Sequence, residues 1–223
     1  MVVIRRLSGL LILCKKIICK HDDQHHISIE GKNYAWCKGI KSFSMENKMD
    51  IELVEASKEY EKQAMAYRQE FINYAEKEIN GSSGFLEYDN YDEWLEKVIS
   101  QKKNESSLTS TPATTYFTIR KRDNKIIGSI QLRHHLTEEL IKDGGNVGYG
   151  ICPSERGKGY GAKQLSLILT KAKELNLSKI MISCNKDNRA SVGVIIHNGG
   201  VLAGEGFDED EGKVTEIFWI DIM

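Results

Sequence analysis

The chain has 223 residues, 40% hydrophobic and 28% charged, with a formal net charge of −1. Such a chain holds one sizeable domain plus an extension, or two small domains, and its composition is that of a soluble globular protein. The charge is uneven: residues 1–44 carry eight Lys/Arg against three Asp/Glu and the remainder 23 against 29, so the larger part is no candidate for nucleic-acid binding by bulk charge, and the longest early apolar run, LSGLLILC, is too short to span a bilayer.

Residues 1–44 show no sustained helical or alternating period. They hold Cys14, Cys19 and Cys37 with His21, His25 and His26, but without a paired C-x-x-C spacing, so a zinc site is set aside and no metal is expected. The reading is a poorly ordered basic extension over residues 1–48, with Met45 and Met49 as alternative starts, followed by one domain over 49–223. Five cysteines in no disulfide-framework spacing point to a reducing, cytoplasmic setting.

From Met49 the pattern becomes regular. IELVEA reads as a strand, and Ser57 as the cap of a helix with Tyr60, Ala64, Tyr67 and Phe71 on one face. INGSSGFLEYDN is a loop by composition. Asn90 with Glu93 opens a second helix, YDEWLEKVISQ, in the manner of a capping box. TTYFTIR and KIIGSIQL flank KRDN as a hairpin, and TEELIKD gives a helical turn. NVGYGI is a strand with two glycines. AKQLSLILTKAKEL is the strongest helix, its apolar face carrying Leu165, Ile168, Leu169, Ala172 and Leu175. KIMISC is a buried-type strand, Asn188 caps RASVGVIIHN, and two strands around VLAGEG and TEIFWID close the chain. The order β-α-α-β-β-β-α-β-α-β-β specifies a mixed sheet with helices packed on it.

The turn PSERGKGYGA joins a strand to the strongest helix. It fails the Walker A pattern, because Cys152 stands where the first glycine belongs and Gly159 follows Lys158 where Ser/Thr should be. Gly157, Gly159 and Ala162 satisfy the dinucleotide fingerprint G-x-G-x-x-A, but four residues separate them from the strand, and about 60 residues are too few for the rest of a doubly wound sheet. A nucleotide-dependent oxidoreductase is therefore the lesser alternative. Arg156, Gly159 and Gly161 satisfy R-x-x-G-x-G/A. Helix-start amides lack intrahelical partners and the helix N-terminus is electropositive, so a glycine-rich turn there suits a diphosphate. Arg156 and Lys158 can add charge at its rim.

On these residues the sequence resembles the GCN5-related N-acetyltransferase (GNAT) family, and within it an uncharacterised bacterial subgroup. Element order agrees over about residues 49–223, with specific motifs in 148–200. The resemblance implies an α/β (α+β) fold with a mixed, mostly antiparallel central sheet, helices on both faces, and a V-shaped cleft between strands 4 and 5. It implies acetyl-CoA as co-substrate, with its diphosphate held by Arg156, Gly157, Lys158, Gly159, Tyr160 and Gly161. Asn188 and Ser191 fit the next signature, N-x-x-S/A, whose asparagine bonds the pantetheine arm. A backbone N–H on strand four, freed by a bulge that Gly148 and Gly150 would permit, is expected at Ile151 or a neighbour to polarise the thioester carbonyl.

The implied reaction is direct transfer of acetyl to a primary amine of a small molecule or peptide. His134, or its neighbour His135, whichever strand alternation turns to the site, is a candidate base, since imidazole titrates in the required range. The tyrosine that many relatives carry seven residues after the motif asparagine is Ile195 here, so that Tyr149 or a water is the candidate acid, the thiolate can also leave unassisted, and a non-catalytic acetyl-CoA-binding module stays as an alternative. Arg133 is a candidate for a substrate carboxylate. Covalent catalysis by Cys152 or Cys184 is rejected for want of a neighbouring histidine in the sequence. Glu87, Asp89, Asp92 and Glu93 form an expected acidic wall for a cationic acceptor. No membrane or nucleic-acid partner is expected, and the protein is read as a monomer or homodimer.

Overall fold

The computed structural model describes residues 50–103, 111–142, 144–208 and 212–222, together with four short strands near the start of the chain. The chain divides into two compact units, Met1–Ser44 and Met45–Met223. In the first, Arg6–Leu7 pairs antiparallel with Leu10–Leu11, and His26–Ile29 with Lys32–Ala35. The expectation of a poorly ordered extension falls mostly on residues outside those described.

The second unit carries the strands β1 (Ile51–Glu55), β2 (Ala113–Arg120), β3 (Lys125–Arg133), β4 (Val147–Ile151), β5 (Lys179–Asn185), β6 (Val201–Asp208) and β7 (Lys213–Asp221). Its helices are α1 (Glu61–Asn73), α2 (Tyr91–Lys103), α3 (Glu138–Lys142), α4 (Tyr160–Glu174) and α5 (Arg189–His197). This is the element order read from the sequence, with the helical turn at TEELIKD formed as α3.

Strands β1-β2-β3-β4 form one antiparallel run and β6-β7-β5 another. They meet at one end of β4 and β5, where Gly145 bridges Ile182. There Asn146 N–H donates to the Met181 carbonyl at 2.7 Å, and the Asn146 side-chain oxygen accepts from Met181 N–H at 2.8 Å. Beyond that junction β4 and β5 share no ladder among the described residues, so the sheet splays. Both edges of the splay keep backbone groups unpaired by strand neighbours, and such groups need another partner.

Apolar side chains pack the two faces separately. On one, Ala64, Tyr67 and Phe71 of α1 and Trp94, Leu95 and Val98 of α2 cover Phe117, Ile119 and Ile126. On the other, Leu165, Ile168 and Ala172 of α4 and Val192 and Ile195 of α5 cover Ile130, Leu132, Val147, Ile180 and Ile182. Leu175, expected on the apolar face of α4, is 41% exposed because the helix ends at Glu174. A bulge lies between Thr118 and Ile119, whose partners are Gly128 and Ile126. It leaves Ile127 as the extra residue and turns that side chain toward Ile51 and Tyr160.

Helix starts differ in chemistry. Asn188 Oδ1 accepts from Ser191 N–H at 3.0 Å, and Asn90 Oδ1 from Asp92 N–H at 2.8 Å, which satisfies helix-start donors. Ser57 makes no side-chain cap; it precedes a single 3-10 turn over Lys58–Tyr60, and its carbonyl accepts from Tyr60 N–H and from the Tyr91 hydroxyl.

Candidate active site

The splay between β4 and β5 opens a cleft of about 540 Å³. Tyr149, Gly150 and Ile151 of β4, the turn around Glu155–Gly159, the start of α4 through Ala162, and Asn188, Ala190, Ser191 and Val194 of α5 line it. Phe71, Glu76, Glu78 and Asn80 complete the wall.

The turn after β4 begins with Pro153–Glu155 in one 3-10 turn. Gly157 and Gly159 both have left-handed backbone, φ +73° and +85°, which a side chain tolerates poorly. Gly159 sits at the N-cap of α4, where no side chain caps the helix. Arg156 N–H donates to the Pro153 carbonyl at 3.4 Å. Among the described residues, no backbone N–H from Gly157 through Ala162 donates to a protein acceptor. Such a run of unpaired donors at a helix start is electropositive and made for an anion.

The side chains expected at the rim are engaged. Arg156 donates to the Ile151 carbonyl at 3.0 Å and to Glu76 Oε1 at 2.6 Å, and its guanidinium lies 5.8 Å from the Phe71 ring centroid. Lys158 Nζ donates to the Ser154 carbonyl at 2.7 Å and to Glu155 Oε2 at 2.9 Å. The ring of Tyr160 is buried against Ile51 and Ile127, so only its backbone N–H is available to a ligand. A Cβ at Gly161 would lie 3.2 Å from Val194, which keeps α4 and α5 close beside the cleft.

β4 is regular. Its register to β3 runs unbroken from Val147–Leu132 to Ile151–Gly128, so the bulge expected there is absent. Gly150 serves another purpose, matched by Gly81 in the facing loop. A Cβ at Gly150 would come within 2.9 Å of the Asn80 carbonyl, and one at Gly81 would strike the Gly148 carbonyl, so the loop after α1 lies directly on the β4 backbone. No bulge is needed to free an amide. Cys152 N–H donates to Ile127 and Arg133 N–H to Asn146, both at 2.8 Å. With antiparallel alternation from those pairs, the amides of Tyr149 and Ile151 face away from β3, toward the cleft.

Tyr149 hydrogen-bonds Ser191 Oγ at 2.7 Å. Burial pushes its phenol up to about 12, against a lowering contribution from the Ser191 bond, so it is a proton donor over the physiological range. Ile195, at the position of the usual tyrosine, is fully buried in the core. Asn188 uses its oxygen to cap α5, and its amide nitrogen has no partner among the described residues. His134 does not line the cleft: its Nε2 pairs with Thr114 Oγ1 at 2.9 Å, and burial, with Lys102 and His135, lowers its pKa. Arg133 donates to the Gly145 carbonyl at 2.9 Å and does not line the cleft either.

The expected acidic wall is elsewhere. Asp92 binds Lys58 at 2.6 Å and Asp89 binds Arg68 at 3.3 Å, and none of Glu87, Asp89, Asp92 and Glu93 lines the cleft. The cleft carboxylates are Glu76, Glu78 and Glu155. Glu78 accepts from the Asn80 side chain at 2.7 Å. The glycine-rich INGSSG turn lays Asn80 and Gly81 on β4, and Glu78 reaches the cleft beside them. Cys152 is buried, and desolvation first, then Glu70, pushes its thiol up to about 12, which suits an inert thiol. No cluster of three or more metal-ligating side chains occurs among the described residues. No described helix is long and apolar enough to cross a membrane.

A splayed sheet covered by helices, with unpaired amides at the start of α4 on the cleft, defines an α/β protein of the acyltransferase architecture. The family model described as "Acetyltransferase (GNAT) domain" matches residues 56–201, and the chain belongs to that family. No curated protein sequence matches it. Among solved structures, the acetyltransferase of the N-terminal serine of ribosomal protein L7/L12 from Salmonella typhimurium aligns with a TM-score of 0.56 at 17% identity, covering 78% of this chain and 95% of that one. The spermidine/spermine N-acetyltransferase from Vibrio cholerae aligns at 0.53 and 17%, covering 78% and 94%. An N-acetyltransferase from Staphylococcus aureus Mu50 aligns at 0.54 and 15%, covering 78% and 99%. At these identities the likeness is one of fold.

Proposed function

We propose that the protein transfers an acetyl group from acetyl-CoA to a primary amine of a small molecule or peptide, in a ternary complex and in the cytoplasm. The observation that carries this reading is the run of unpaired N–H groups from Gly157 to Ala162, opening on the cleft where β4 and β5 part.

These residues fit acetyl-CoA. The amides of Gly157, Lys158, Gly159, Tyr160 and Gly161 bind the diphosphate, with Lys158 and Arg156 at its rim. The free amide nitrogen of Asn188 and the cleft-facing amides of β4 suit the pantetheine arm, and Ser191 orients Tyr149. Bound acetyl-CoA supplies an activated thioester. The Ile151 N–H, facing the cleft, polarises an acyl carbonyl. The Tyr149 hydroxyl donates a hydrogen bond to the departing thiolate, a modest demand because a thiol with pKa of about 8.5 leaves readily. Delivering a neutral amine at pH 7 from an ammonium of pKa about 10.4 costs about 4–5 kcal/mol. His134, outside the cleft, is not retained as the base; cleft water takes that proton in this reading.

Glu76 and Glu78 favour a cationic acceptor. Structural relatives named for spermidine and for a ribosomal-protein N-terminus span small and peptide amines, which supports a primary-amine acceptor in this reading. Cys152 and Cys184 are both free thiols, which suits a reducing compartment.

The test is release of free CoA thiol from acetyl-CoA in the presence of an amine panel of polyamines, aminoglycosides and peptide N-termini. Acceptor-dependent thiol release supports transfer. Tight CoA binding with no thiol release from any amine would instead mark a binding module.

A further inference from the structure

Glu155 is 6% exposed and lines the cleft just before the run of unpaired amides in sequence. A buried carboxylate there opposes any anionic ligand, so its charge needs a partner. The partner comes from outside the turn. Arg120, the last residue of β2 and 6% exposed, puts Nη1 at 2.7 Å from Glu155 Oε2. Its Nε and Nη2 fork onto Asp123 at 2.9 and 2.6 Å, and its guanidinium lies 5.9 Å from the ring centroid of Tyr160, the first residue of α4. Lys158 adds a second cation to Glu155 at 2.9 Å, and Lys125 stands 3.7 Å away. Glu70 of α1 accepts from Ser154 N–H at 2.9 Å, which fixes the same turn from the other side.

Arg120 itself does not line the cleft. Resting on the acetyl-CoA reading above, we infer that Arg120 is a positioning residue for the diphosphate turn: it neutralises Glu155 and locks the Pro153–Arg156 segment so that the amides from Gly157 onward stay aimed at one anion. The planar fork explains the choice of arginine, because it can hold Asp123 and Glu155 at once, which an ammonium cannot do bidentately.

The experiment measures CoA and pantetheine affinity calorimetrically, and acetyl-CoA kinetics with the best acceptor, for the wild type, Arg120→Met, Glu155→Gln and the double variant. Arg120→Met is expected to weaken CoA tenfold or more, raise the acetyl-CoA KM in proportion, and leave kcat at saturation within about twofold. Pantetheine, which lacks the diphosphate, should bind both forms alike. Removing the stranded charge in Arg120→Met/Glu155→Gln should restore CoA affinity to within about threefold of wild type. Should Arg120→Met fail to fold, Arg120→Lys carries the comparison, with an intermediate loss expected. Wild-type protein that ignores CoA would overturn the acetyl-CoA reading itself. Wild-type binding with unchanged affinity in the Arg120 variant, an equal loss for pantetheine, or no rescue in the double variant would overturn only the positioning role.

Discussion

Replacing Gly159 by alanine and by aspartate separates backbone strain from charge in the diphosphate cradle. Gly159 holds φ +85° at the cap of α4. An L-residue in left-handed backbone costs about 1–2 kcal/mol, and in a domain of this size each kcal/mol lowers Tm by about 2–4 °C. Both variants should therefore melt several degrees lower, with aspartate, the better tolerated of the two in that region, losing less. Binding diverges. Two unit charges about 4 Å apart at an effective dielectric near 20 interact by about 4 kcal/mol, so a carboxylate facing a phosphate oxygen should weaken CoA roughly a thousandfold. Alanine, which keeps every amide, should weaken it less than tenfold. Calorimetric titration with CoA beside a melting curve reads both quantities. An aspartate variant that binds CoA within threefold of the alanine variant would refute a diphosphate at this turn.

Three further outcomes follow from the same geometry. Tyr149→Phe removes the hydroxyl bonded to Ser191 in the cleft and should lower kcat about 10²-fold, the modest end for acid catalysis, with little change in acetyl-CoA KM; because the phenol stays protonated to about pH 12, the wild-type kcat should show no basic limb from it below that pH, and such a limb lost in the variant would contradict the assignment. Glu76→Gln frees Arg156 from its ion pair and removes a carboxylate from the cleft wall, so CoA should bind about two- to fivefold tighter, the range of a solvent-screened pair; weaker binding would mean that Glu76 supports the ligand rather than competing with it. In Glu155, burial pushes the carboxyl up but Lys158 and Arg120 more than offset it, and Glu70 and Asp123 are likewise held below their ordinary range. Folded values below unfolded ones add stability above about pH 4–5 that is lost as pH falls through the folded values; Tm should drop below about pH 5, and Glu155→Gln, less stable at pH 7, should converge on wild type in acid.

The fold was legible because its signals are local. Alternating and 3.6-residue patterns marked every strand and long helix of the second unit, and the glycines of RGKGYG and the cap at Asn188 marked two helix starts on the cleft. What stayed hidden depends on pairing across the chain. Whether β4 carries a bulge is decided by its register with β3, and Gly150, read as a bulge-former, instead admits the loop at Asn80. The acidic run from Glu87 to Glu93 looked like an acceptor wall, but its members are held by Lys58 and Arg68 or lie outside the cleft, while Glu76 and Glu78, unremarkable in sequence, reach it because their loop rests on β4. His134 carries suitable chemistry in the wrong place, its ring bonded to Thr114. Arg120 gives no sequence signal at all; only the fold brings the end of β2 under the turn that follows β4.

The most direct measurement is the backbone amide spectrum of isotope-labelled protein titrated with CoA. A diphosphate held at the start of α4 predicts that the N–H resonances of Gly157, Gly159 and Gly161 move strongly downfield and become protected from exchange at saturation, with smaller changes when pantetheine is added instead. CoA that binds while those three resonances stay in place would contradict the site, and with it the transferase reading built on it.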